Sequence, residues 1–120
     1  MKKFLRQSLV VVLFIGFQVH ARAHAFLDHA EPKVGSMVTN SPAELKVWFT
    51  QNLEPAFSTL EVDDAQGHPV DKKDAHLDEG NKMLFIVSLP PLPPGTYTVV
   101  WHAVSVDTHK TQGHFEFTIK

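Results

Sequence analysis

The 120-residue chain contains no cysteine. That absence excludes disulfides, thiol catalysis and any zinc or copper site built on thiolate. The chain also lacks a basic excess: 11 Lys and Arg stand against 13 Asp and Glu, a formal charge of −2. A phosphate backbone finds little to bind on such a surface, so no nucleic-acid partner is expected. Methionine is scarce, at Met1, Met37 and Met83 only. No stretch keeps a helical period over ten residues, and there is no repeat, low-complexity tract or internal linker.

The first 23 residues read as a cleaved secretory leader. Lys2, Lys3 and Arg6 give a positive start, Leu9 to Phe17 an apolar run, and Ala21-Arg22-Ala23 a small-x-small cut. The apolar run is shorter than the ~20 residues that span a bilayer as a helix. A retained signal anchor is the alternative. Cleavage leaves one domain, 24–120, of 97 residues. It removes Lys2, Lys3, Arg6 and Arg22, which leaves seven basic against 13 acidic side chains, a formal −6. Such a domain tolerates a cation and, without disulfides, must hold together by its core alone. The leader places it in the periplasm.

The mature region shows short apolar runs between turn residues. Leu45, Val47 and Phe49 alternate with Lys46 and Trp48. Residues 57–62, 83–89, 97–104 and 115–119 are further strand-like runs by length, β-branching and period two. Pro-Lys-Val-Gly, Asn-Ser-Pro, Asp-Asp-Ala-Gln-Gly, Asp-Glu-Gly-Asn and Pro-Pro-Leu-Pro-Pro-Gly separate them. This spacing predicts an all-β fold, an antiparallel Greek-key sandwich or barrel, cupredoxin-like or immunoglobulin-like. Trp48, Trp101, Phe49, Phe57, Phe85, Phe115 and Phe117 are its expected core, and Met83 packs with them.

Eight histidines are a high count for this length, and seven lie beyond the cut. His24, as the first mature residue, offers an α-amine and a ring Nδ1 that chelate one ion together. The amine has an ordinary pKa of about 7.7–8.0, so a metal competes with a proton there. Cu(II) stands high in the divalent affinity order and favours nitrogen in tetragonal geometry. His24 standing at the cut by chance is the alternative. Asp107 and His109 stand two apart, and in an extended chain such residues share a side. A lone D-x-H is common by chance, and an ion-paired surface histidine is its plainer explanation. Together, His24, Asp107 and His109 supply three nitrogens and one oxygen, a set that suits Cu(II) and lacks the soft donors Cu(I) prefers. His68 and His76 read as solvated loop residues. His29, His102 and His114 are left without an assigned role, the last two as candidates to orient a ligand by hydrogen bonding.

"HAFLDHAEPKVGS" and "PPGTYTVVWHAVSVDTHKTQGHFEFTIK" make the mature chain resemble the CopC family of periplasmic copper-binding proteins, and most of all its YobA-type branch. The resemblance runs over essentially all of 24–120. It implies a cupredoxin-like barrel or sandwich and a Cu(II) site, one ion per mature chain, on His24, Asp107 and His109. It also implies a CopD-type inner-membrane partner. The Met-rich loop by which some members bind Cu(I) corresponds to about 60–73, where this chain has no methionine. A Cu(II)-only protein is therefore expected.

The expected function is to hold copper for resistance, homeostasis or transport, without catalysis. Two alternatives stand beside it. One is a copper-dependent oxidative enzyme of the histidine-chelate type, which rests on analogy alone. The other is a metal-free sandwich accessory domain.

Overall fold

The computed structural model describes residues 25–120. Eight strands form two four-stranded sheets, and among the described residues there is no helix. One sheet has the order β1 (Leu27–Glu31), β3 (Glu44–Phe49), β6 (Asn81–Ser88), β5 (His76–Asp78). The other has β2 (Met37–Val38), β8 (Lys110–Ile119), β7 (Gly95–Val104), β4 (Thr59–Asp63). Only β5–β6 and β7–β8 are hairpins within one sheet. Every other connection crosses between the sheets, which makes a Greek-key sandwich.

Period-two burial builds the core. Leu45, Val47 and Phe49 of β3 point inward and meet Phe85 and Val87 of β6, Leu60 and Val62 of β4, and Phe115, Phe117 and Ile119 of β8. Tyr97, Val99, Trp101 and Ala103 are the inward row of β7. Trp101 meets Phe49 edge-on with centroids 5.3 Å apart, and Tyr97 stacks on Phe117 at 5.7 Å. Opposite Trp101 in the ladder stands Gly113. A Cβ there would lie 2.5 Å from Trp101 Cζ2, so the bare backbone at 113 is what lets the indole lie across β8.

Three expected core residues are elsewhere. Phe57 is 70% exposed, because β4 starts only at Thr59 and Phe57 belongs to the loop before it. Trp48 falls on the outward parity of β3, half-buried, and stacks on His29 of β1 with centroids 4.3 Å apart. Met83 is exposed because it lies past the last β3–β6 pair, Trp48 with Leu84. The sandwich is also not purely antiparallel: β2 runs parallel to β8, pairing Met37 with Thr118 and Val38 with Ile119.

Candidate metal centre at the turn of the last hairpin

The β7–β8 hairpin pairs ten residues on each strand, from Gly95–Ile119 to Val104–Lys110, and turns through 105–109. Asp107 and His109 lie in that turn. Sequence spacing put them on one side of an extended chain, but the backbone there is not extended. The Ser105 N–H donates to the His109 carbonyl at 3.0 Å, and the Thr108 N–H to the Ser105 carbonyl at 2.8 Å. Thr108 adopts φ +71°, a left-handed conformation uncommon for a β-branched residue. This tight closure brings His109 Nδ1 to 3.2 Å from Asp107 Oδ2. The two side chains do meet, by a strained turn rather than by strand alternation.

Ser105 supports the pair, a role sequence reasoning missed although the serine stands in the S-x-D-x-H run. It is buried, and its hydroxyl donates to Asp107 Oδ1. That hydrogen bond, and then the neighbouring His109, holds the Asp107 carboxyl below its ordinary value of 3.8. Asp107 is thus an anion with one oxygen braced from below and the other facing an imidazole. Ser105 is itself fixed by a bridge to Leu53, and the Val106 N–H donates to the Asn52 carbonyl at 3.1 Å.

The donor set fits a small divalent ion. Such ions bind imidazole nitrogen and carboxylate oxygen at about 2.0–2.1 Å, which puts two ligands at right angles about 3 Å apart. The side chains are 46% and 49% exposed, so an ion has access. Among the described residues no group of three or more His, Cys, Asp or Glu is placed to hold a metal. The described part of the site is this pair alone, and His24 lies outside the described residues.

The start of the described chain is fixed beside the pair. Ala25 is fully buried, and its carbonyl accepts a hydrogen bond from the Thr111 hydroxyl, two residues beyond His109. Phe26 bonds through both its N–H and its carbonyl to Thr50, in the segment that follows β3. A groove of about 770 Å³ adjoins the turn, lined by Phe57, His102, Val104, Thr108, Lys110 and Thr111.

The remaining histidines divide by place. His68 is an exposed loop residue whose backbone N–H donates to Asp64. His76 opens β5, and its Nδ1 lies 2.7 Å from the Asp74 carbonyl. His29 lies between Trp48 and Asp28. His102 and His114 are on the outer face of the β7–β8 ladder, and His102 Nδ1 lies 3.3 Å from Thr59 Oγ1.

The described residues thus form a small two-sheet Greek-key β-sandwich with an exposed Asp107–His109 pair at the turn of its last hairpin and Ala25 pinned to Thr111 nearby. Comparison with known proteins names the class. The CopC domain model matches residues 27–120, and the chain belongs to the CopC family. It is 38% identical over 99 residues to Protein YobA of Escherichia coli K12, covering 82% of this chain and 80% of that protein. The crystal structure of CopC from Methylosinus trichosporium OB3b superposes with a TM-score of 0.76 at 31% identity, over 81% of this chain and 94% of that one. PcoC, described as a methionine-rich copper resistance protein from Escherichia coli, superposes at 0.73 and 31% identity, over 82% of this chain and all of that one.

Proposed function

We propose that the protein holds one Cu(II) ion per mature chain, in the periplasm, through the α-amine and ring Nδ1 of His24, the Asp107 carboxylate and the His109 imidazole. Membership of a family whose relatives carry copper-resistance names supports copper as the cargo. The observation that carries the site is the Ala25 anchor. Ala25 is tied to Thr111 beside the D-x-H turn, and consecutive Cα atoms are about 3.8 Å apart. An amine created by cleavage after Ala23 would stand one residue from this anchor, which supports its joining Asp107 and His109.

Each group has a defined task. Ser105 donates to one Asp107 oxygen and aims the carboxylate, favouring its charged form further. His109 supplies the second imidazole. The His24 amine binds only once the ion has displaced its proton, which favours the metal highest in the affinity order. Met37 lies on β2 of one sheet and Met83 on β6 of the other, and residues 60–73 contain no methionine. This supports a site for Cu(II) alone. The protein serves copper resistance, homeostasis or transport, handing the ion to a CopD-type inner-membrane partner, and is not an enzyme.

Titration of the mature chain with Cu(II) against a strong chelator tests this reading. His109→Ala lowers the affinity by two orders of magnitude or more while the unfolding midpoint stays put. An unchanged affinity removes the site.

A further inference from the structure

The geometry points to a second, weaker divalent-metal site on the outer face of the β2-β8-β7-β4 sheet, built from His102 and His114. The register places them. His102 pairs with Gln112 and His114 pairs with Val100, so the two histidines stand on one diagonal of the β7–β8 ladder. Both are exposed, and both are on the outward parity, since Trp101 and Phe115 beside them point into the core. Diagonal neighbours on one face have Cβ atoms somewhat under about 7–8 Å apart, a span that long and aromatic side chains bridge. The two rings, with Gln112, surround a shallow depression of about 240 Å³ floored by Val100 and Gly113.

His102 has a feature that a solvated surface histidine lacks. Thr59 pairs with it from the opposite neighbour strand, and Thr59 Oγ1 lies 3.3 Å from its Nδ1. The two nitrogens of an imidazole face roughly opposite ways. With Nδ1 on the β4 side, Nε2 faces the β8 side, where His114 stands. A hydrogen bond that fixes one ring nitrogen and presents the other is the usual arrangement around a metal-bound histidine.

Two imidazoles and the amide oxygen of Gln112 make a borderline, nitrogen-weighted set, suited to Cu(II), Zn(II) or Ni(II). Water completes the coordination, so this site exchanges readily and binds more weakly than a four-donor site. It stands apart from the Asp107–His109 pair and does not depend on it.

The test is a Cu(II) titration of the mature chain followed by backbone amide NMR, since Cu(II) broadens nearby signals. The second equivalent broadens Val100, Trp101, Gly113 and His114. His114→Gln and His102→Gln each weaken that step at least tenfold and leave the rest of the spectrum in place. Second-equivalent broadening that survives both substitutions, or that centres on His68 or His76, overturns the proposal. The two sites fail separately: absence of first-equivalent broadening over 105–111 rejects the rim site and leaves the His102 and His114 result standing on its own.

Discussion

At the middle of the β7–β8 ladder, Trp101 lies against Phe49 and the bare backbone of Gly113 with almost no exposed surface. At the turn of the same hairpin, Asp107 and His109 keep about half of theirs. The ladder is held by shape, and a single added carbon has nowhere to go. The turn is held by hydrogen bonds from Ser105 and the local backbone, and its two side chains face water. One hairpin thus divides the work. The ladder is packed into the core and the turn exposes the carboxylate and imidazole proposed as copper ligands, so a substitution at one end is expected to leave the other's property intact.

Gly113→Ala tests the ladder and carries the largest expected effect. The new Cβ meets a buried indole ring rather than a flexible tip, so overpacking costs about 1–3 kcal/mol. Denaturant unfolding measures it, with first-equivalent Cu(II) affinity within twofold of the wild type. An unchanged midpoint would show that Trp101 yields, and the division would collapse at that end.

Ser105→Ala tests the turn. It removes the donor that aims the Asp107 carboxylate, and loss of such a supporting bond typically costs about tenfold in metal affinity. Stability changes by no more than about 1 kcal/mol, because Asp107 is exposed and water replaces the lost donor. A large loss of stability with unchanged Cu(II) binding would reverse the assignment.

The smallest effect is in acid, away from both ends. The Ser88 hydroxyl and then the Ser88 N–H, 2.8 Å from Asp74 Oδ1, hold the Asp74 carboxyl below its ordinary 3.8. A depressed carboxyl stabilises the fold above its unfolded value and loses that contribution as pH falls through the folded one. Stability therefore declines below pH 3.8, and Asp74→Asn makes that decline shallower in unfolding midpoints taken across the acid range. An identical slope in the variant would remove Asp74 from the account.

The ladder was largely legible in the sequence and the turn only in part. Alternation of large apolar residues located β3, β7 and the Phe-rich half of β8, each with one face in the core, while the β-rich run 57–62 located β4 and the continuous apolar run 83–89 located β6, whose Leu84 to Val87 are all buried. It missed β1 and β5, edge strands with mixed or polar faces, and β2, whose two residues carry no period. The first half of β8 escaped because Lys110 to His114 offers no apolar row and includes a glycine that exists for its partner's ring. Phe57 and Trp48 were placed in the core on residue type, yet parity already put Trp48 outward. At the turn, D-x-H singled out two side chains that do meet, but for the wrong geometric reason. A left-handed Thr108 closes the turn, and period-two reasoning cannot anticipate that. Ser105 went unassigned because a serine two residues before an aspartate is ordinary until its burial is known.

In the proposed site, the free amine of His24 joins the Asp107–His109 rim around one Cu(II) ion. Electron paramagnetic resonance of the Cu(II)-loaded mature chain, beside a form with one residue added before His24, addresses it directly. Hyperfine structure from three nitrogens is expected in the mature chain, and a changed pattern with fewer nitrogens in the extended form. Identical spectra and equal affinity in the two forms would contradict that arrangement.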